Sequence, residues 1–210
     1  VFHSGQTQDG RQYAVMDYVR GTPLDKYVRE KKLPLEEVLK LFSTVCEAVN
    51  YAHQKGVMHR DLKPSNVLVD AEGHPKVLDF GLAKRIPSAA LSPEADTLTA
   101  LTRTGLTPGT LAYMSPEQAL GRSVDARTDV WAVGVVLYEM FTKQLPFKGV
   151  HETALMYEIV NVDPAPMSSV VDGIDPELDR KVALRLIPGG DADTLRQAQA
   201  TAGLSHANVI

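Results

Sequence analysis

The sequence predicts an α+β fold, mainly helical, with a smaller antiparallel-sheet part. Three observations carry that reading. Short β-type runs occur at Tyr13 to Tyr18, Val67 to Asp70 and Pro75 to Leu78, each bounded by turn residues. Leu35, Val38, Leu39, Phe42, Val45, Cys46 and Val49 recur at i, i+3, i+4 and i+7, the stripe of a helix packed on a core. Val130 to Phe141 is apolar on nearly all faces, which predicts a buried central helix.

Composition narrows the function classes. The chain has 210 residues, with 22 Lys+Arg against 26 Asp+Glu and a net charge of −4. Apolar residues make up 44% and charged residues 23%, ordinary for a chain that buries a core. Disordered, collagenous and strongly basic nucleic-acid-binding classes are therefore disfavoured. A lone cysteine, Cys46, forms neither an intrachain disulfide nor a Cys-based zinc site, which points to a reducing, cytoplasmic location. The longest apolar stretch is too short to span a bilayer, so no membrane segment is expected here.

Taken in order, Gly5 and the Asp9-Gly10 pair suit a hairpin turn leading into the strand over Tyr13 to Tyr18. A helix follows, with Thr22 as N-cap, Pro23 at the first helical position and Asp25 three residues after the cap. The striped helix ends at Gly56, and His53 and Lys55 suit its carboxyl end. Ala71-Glu72-Gly73-His74 joins the next two strands as a turn. Residues 82–112 are rich in Ser, Thr, Pro and Ala without a period, which predicts a long surface loop, usually a functional feature at that length. Thr153 to Val160 predicts a last helix, stopped by Asp163-Pro164-Ala165-Pro166.

Three short motifs stand in order along this frame. Residues 59–66 read His-Arg-Asp-Leu-Lys-Pro-Ser-Asn, residues 79–81 read Asp-Phe-Gly, and residues 115–117 read Ser-Pro-Glu after Gly109-Thr110. Together they resemble the large lobe of protein kinases, most closely the bacterial serine/threonine kinases of eukaryotic type. The resemblance covers roughly residues 1–172 as hinge and large lobe. It implies transfer of the ATP γ-phosphate to Ser or Thr hydroxyls of a protein substrate, with Mg²⁺ as the metal.

The resemblance also implies roles. Asp61 orients or deprotonates the substrate hydroxyl, Lys63 lies near the transferring phosphate, and Asn66 and Asp79 offer oxygen ligands to Mg²⁺. Met16, Asp17 and Val19 fall in the segment that holds adenine, and Leu68 touches its face from below; plain core packing stays open for these apolar residues. His59 packs near Phe80. Asp129 accepts backbone hydrogen bonds from the 59–66 segment, and Glu117 pairs with an arginine late in the lobe. Arg60, just before Asp61, goes with control by phosphorylation of a loop threonine. Thr97, Thr99, Thr102 and Thr104 are the candidates, against the reading that a Thr-rich loop is merely solvated.

Two departures accompany the resemblance. No G-x-G-x-x-G occurs in the sequence. In addition, residues 173–210 read as a small-lobe-like strand and helix, fused or permuted, rather than as a degenerate large-lobe ending. Lys181 to Ile187 then resembles the strand of the ATP lysine, with Arg185 at the lysine position and Gln197 at the position of its glutamate partner. This reading expects residues 182–187 to pair with residues 12–17 and residues 192–203 to form a helix. A kinase acting by turnover and a pseudokinase or truncated kinase acting as a binding module are the two functional readings.

Overall fold

The computed structural model describes residues 3–15, 17–80, 108–172 and 174. The fold is α+β, and most of the described elements are helical. The chain opens on a hairpin, β1 (His3–Gln6) antiparallel to β2 (Gln12–Val15), with His3 opposite Val15. The turn lies where Asp9-Gly10 predicts it. Gly10 sits at φ 84, and its N–H donates to the Thr7 carbonyl. The strand is shorter than expected: Asp17 and Tyr18 lie outside it, and Tyr18 is exposed. Residues 17–21 instead carry the chain to a second sheet of three strands.

That sheet is ordered β3 (Thr22–Pro23), β4 (Val67–Val69) and β5 (Pro75–Val77), all antiparallel. It corrects the helix start read from sequence. Thr22 is extended opposite Val69, and Pro23, not Thr22, is the N-cap of α1 (Leu24–Lys31). Backbone pairing with β4 takes the place of a side-chain cap; no side-chain cap bond is present. The chain approaches β4 so closely that a Cβ on Gly21 would lie 2.8 Å from the Val69 carbonyl oxygen and 3.0 Å from Leu68 Cβ. Only glycine fits that crossing.

The striped helix, α2 (Leu35–Gln54), buries Val38, Leu41, Phe42, Val45 and Val49. Cys46 is half-buried on the same side, and burial pushes its thiol pKa up, as for an inert core cysteine. Gly56, at φ 73, closes the helix with its N–H on the His53 carbonyl. The hairpin of β4 and β5 turns on Asp70, whose carboxylate accepts the Glu72 and His74 N–H groups. The backbone bond from His74 holds the Asp70 carboxyl below its ordinary range.

The segment read as loop to residue 112 ends differently. Pro108–Leu111 is a helical turn, α3, and Thr110, Leu111 and Ala112 are buried. Leu111 and Ala112 pack in a small cluster with Phe147, Leu155 and Ile159, contacts that a local reading of Ser/Thr/Pro content does not reveal. A short helix α4 (Pro116–Ala119) follows, with Ser115 as N-cap. The central helix α5 (Ala126–Thr142) starts earlier than the apolar run, because Asp125 caps it by accepting the Arg127 N–H. It contributes Ala132, Val136, Tyr138, Met140 and Phe141 to the main core beside α1, α2 and β4. Helix α6 (Glu152–Asn161) confirms the last predicted helix.

Among the described residues, no helix is long and apolar enough to cross a membrane. The expected pairing of residues 182–187, the expected helix over 192–203, and Gln197 lie outside the described residues.

Candidate active site

The site is built on residues 57–66, which run between α2 and β4. This stretch is irregular until a 3-10 turn at Pro64–Asn66, and tertiary bonds hold it. Arg60 has φ 67, a left-handed conformation that a non-glycine residue keeps only where its surroundings enforce it. Asp129, fully buried on α5, is one enforcer: Oδ2 accepts the His59 N–H at 2.8 Å and Oδ1 accepts the Arg60 N–H at 2.6 Å. This is the support expected of Asp129. The same carboxylate also meets His53 Nε2 at 2.7 Å. His53 stands in the last turn of α2, as the sequence suggested, and its imidazole also reaches across 76 residues to α5.

His59 is fully buried. Its Nε2 donates to the Leu78 carbonyl at 2.7 Å, and its Nδ1 accepts the Asp61 N–H at 3.3 Å. One neutral tautomer satisfies both bonds. The ring meets Phe80 edge-on, with centroids 5.0 Å apart, so the packing role expected of His59 holds.

Burial alternates along Asp61, Leu62 and Lys63, and Lys63 is extended. Leu62 is 1% exposed in the core, while Asp61 and Lys63 stand together at the surface of the site. Lys63 Nζ lies 3.0 Å from Asp61 Oδ2 and donates at 3.0 Å to Thr110 Oγ1. Asn66 Nδ2 donates to the Asp61 backbone carbonyl at 2.8 Å and approaches Asp61 Oδ2 at 3.5 Å. Asp61, Lys63 and Asn66 are thus brought together as the motif suggests. Thr110 joins them from α3, a partner that residue spacing did not point to.

Asp79 follows β5. The Leu78 N–H donates to the Asn66 carbonyl at 2.8 Å, which brings the two motifs side by side. Asp79 is the second left-handed residue of the site, at φ 64, and its side chain is exposed. Among the described residues neither its carboxylate nor Asn66 Oδ1 takes part in a hydrogen bond. The Asn66 amide is oriented by its Nδ2 bonds, which leaves its carbonyl oxygen available. A neutral carbonyl and a carboxylate, with room for waters and phosphate oxygens, suit a hard cation such as Mg²⁺. Among the described residues no group of three or more His, Cys, Asp or Glu offers an all-protein metal cage.

The residues expected around adenine are only partly described. Asp17 is exposed, Val19 is half-buried, and Leu68 is half-buried on β4 where Gly21 crosses it. Met16 and Arg185 lie outside the described residues, as do Thr97, Thr99, Thr102 and Thr104. Arg60 Nε is buried and has no hydrogen-bond partner among the described residues. Glu117 accepts the Thr128 hydroxyl at 2.6 Å, and the arginines late in the sequence, Arg180, Arg185 and Arg196, lie outside the described residues.

A half-buried polar contact joins Tyr113 to α5. The Tyr113 hydroxyl donates to Glu139 Oε2 at 2.6 Å. Burial pushes the Glu139 carboxyl up, against the Tyr113 bond and the cations Arg29 and Lys143, while Asp25 adds to the rise. Tyr113 is pushed up as well, by burial first and then by Glu139. A carboxyl raised on folding favours the folded state below the ordinary glutamate value, and that contribution is lost as pH rises towards the raised value. Glu139→Gln keeps an acceptor for Tyr113 but removes the charge. Its unfolding free energy, followed by urea denaturation, is therefore expected to gain on wild type as pH rises from acid to neutral. Curves that stay parallel over that range would refute the assignment.

Comparison with known proteins agrees with this geometry. A family model described as the protein kinase domain matches residues 2–185. The chain is 41% identical over 186 residues to the serine/threonine-protein kinase PknB of Mycobacterium leprae, covering 87% of this chain and 28% of that protein. It is 38% identical over 180 residues to PknB of Mycolicibacterium smegmatis, covering 85% and 28%. It is 36% identical over 180 residues to a probable serine/threonine-protein kinase of Streptomyces coelicolor, covering 85% and 26%. The chain thus spans little more than a quarter of the length of these relatives.

Proposed function

Because this chain belongs to the protein kinase domain family, we propose that it carries the large-lobe half of a cytoplasmic serine/threonine kinase site, using ATP and Mg²⁺ to phosphorylate a protein substrate. The observation that carries the proposal is the joint placement of Asp61, Lys63 and Asn66 within hydrogen-bond reach of one another, beside Asp79.

The chemistry follows from those side chains. Asp61 accepts a hydrogen bond from the incoming Ser or Thr hydroxyl and aims its oxygen for in-line attack. Lys63, held between Asp61 and Thr110, supplies a fixed positive charge where the transferring group gains negative charge. Asn66 Oδ1 and the Asp79 carboxylate would hold Mg²⁺, which neutralises phosphate charge when bound. Asp17 and Val19 offer backbone groups to adenine, with Met16 and Leu68 as apolar contacts and Arg185 as a phosphate contact if the tail joins the site.

In this reading residues 1–172 are hinge and large lobe, and residues 173–210 are a separate small-lobe-like segment. The reach of the family match to residue 185 supports the competing view that the large lobe continues that far. A binding module without turnover is the second reading, and Arg185 and Gln197 at the lysine and glutamate positions read in the tail favour it.

A thermal-shift titration separates these outcomes. A ligand that binds only the native state adds about 2.7 kcal/mol at a hundredfold excess over its Kd. The expected result is a rise in Tm with ATP that requires Mg²⁺ and is reduced in Asp79→Asn. Stabilisation without phosphate incorporation would mark the binding module. No stabilisation at millimolar ATP with Mg²⁺ would defeat the proposal.

A further inference from the structure

The peptide that joins Arg60 to Asp61 is gripped at both ends. Its N–H, on Asp61, donates to His59 Nδ1 at 3.3 Å. Its carbonyl, on Arg60, accepts from Gln118 Nε2 at 2.8 Å. Gln118 lies in α4, 58 residues further along the chain, and is buried, so water does not compete for this bond.

The other end of the Gln118 amide is also committed. Oε1 accepts the Ser115 N–H at 3.0 Å, and the Gln118 N–H donates to Ser115 Oγ at 3.4 Å, a reciprocal cap on α4. The amide is therefore polarised in one sense. Its donor faces the Asp61 segment and its acceptor faces the cap. Turning it over would set Oε1 against the Arg60 carbonyl, acceptor against acceptor.

Arg60 is left-handed at φ 67, a conformation that does not persist unsupported. Asp129 holds the N–H side of Arg60, and Gln118 holds its carbonyl side. Rotation of the Arg60–Asp61 peptide would swing the Asp61 carboxylate, because the Asp61 Cα that carries the side chain lies in that plane.

We propose that Gln118 is a positioning residue: it locks the Arg60–Asp61 peptide and so couples the Ser115 cap to the aim of Asp61. The kinetic part of this proposal rests on the kinase reading; the structural part does not.

Two variants test it in the full chain. Gln118→Glu keeps the acceptor for Ser115 but points a carboxylate oxygen at the Arg60 carbonyl. Gln118→Leu removes both bonds. With ATP and a generic basic protein as substrate, kcat is expected to fall roughly ten- to a hundredfold in each, the scale of a small misplacement of a reacting group, with little change in KM for ATP. Lowering the pH should restore Gln118→Glu relative to wild type, because a buried carboxyl titrates above its ordinary range and then donates through its O–H. Arg60, Glu117, His59 and Asp129 around that position are common to both proteins, so the ratio isolates residue 118. Gln118→Leu should show no such recovery.

Hydrogen exchange of the unliganded chain needs no activity. Amides of residues 60–63 are expected to exchange several-fold faster in Gln118→Leu. Faster exchange confined to residues 115–121, or an unchanged kcat for Gln118→Glu at neutral pH, would overturn the proposal. If wild type incorporates no phosphate, the kinase reading fails, and the exchange result alone decides the role of Gln118.

Discussion

Asp61→Asn is expected to lower phosphate incorporation by roughly 10²- to 10⁴-fold, the range over which a positioned acid–base group acts. The substitution preserves shape and keeps an acceptor for the Lys63 ammonium, which lies 3.0 Å from Oδ2. It removes the charge that, in the proposed mechanism, holds a substrate hydroxyl for in-line attack. Asp61 is only half-buried, and neither the core residue Leu62 nor the bonds of His59 depend on its carboxylate. Thermal stability should therefore stay near that of wild type, which separates loss of chemistry from loss of fold. Incorporation of radiolabelled phosphate from ATP into a basic protein gives the measurement. Equal incorporation by both chains would remove Asp61 from the mechanism.

Asp129→Ala is expected to be the most damaging single change to stability, by about 3–5 kcal/mol. The carboxylate is fully buried and serves three donors: the backbone N–H of His59, the backbone N–H of Arg60 and the imidazole of His53. Alanine leaves two buried N–H groups and a mostly buried ring nitrogen unpaired, each at a cost of about 1–3 kcal/mol. Domains of this size keep only about 5–15 kcal/mol in total, so the variant approaches the edge of folding. Asp129→Asn retains one acceptor oxygen and should lose less. Urea unfolding of the three chains orders them. An Asp129→Ala variant within about 1 kcal/mol of wild type would show that water replaces the carboxylate without cost.

The elements that were legible in the sequence share a physical cause. Helix α2 was visible because Val38, Phe42, Val45 and Val49 repeat at the helical period and one face is buried. The hairpin of β4 and β5 was visible because Asp70 to His74 carries its own turn chemistry. The His-Arg-Asp-Leu-Lys-Pro-Ser-Asn run was legible as a motif, and Asp61 and Lys63 meet while Leu62 between them is buried.

Where local rules failed, a partner distant in sequence had won. Thr22 makes a good cap by residue type, but pairing with Val69 claimed its backbone. Leu111 and Ala112 look like loop, but Leu155 and Ile159 give them a core to join.

By itself, the sequence determined the family and the α+β class and marked the candidate site residues, because each motif, hydrophobic period and turn is written in a short run of the chain. Tertiary structure alone decided how those residues are aimed. His53 and Asp129 meet from α2 and α5, Thr110 reaches Lys63 from α3, and Gln118 holds the Arg60 carbonyl from α4. Each of those bonds joins side chains or peptides 47 to 76 residues apart. Many polar residues could equally serve as such a partner by type. Only the packing of helices and strands selects the one whose donor or acceptor is buried at the right distance, since an unmatched buried polar group is too costly to keep.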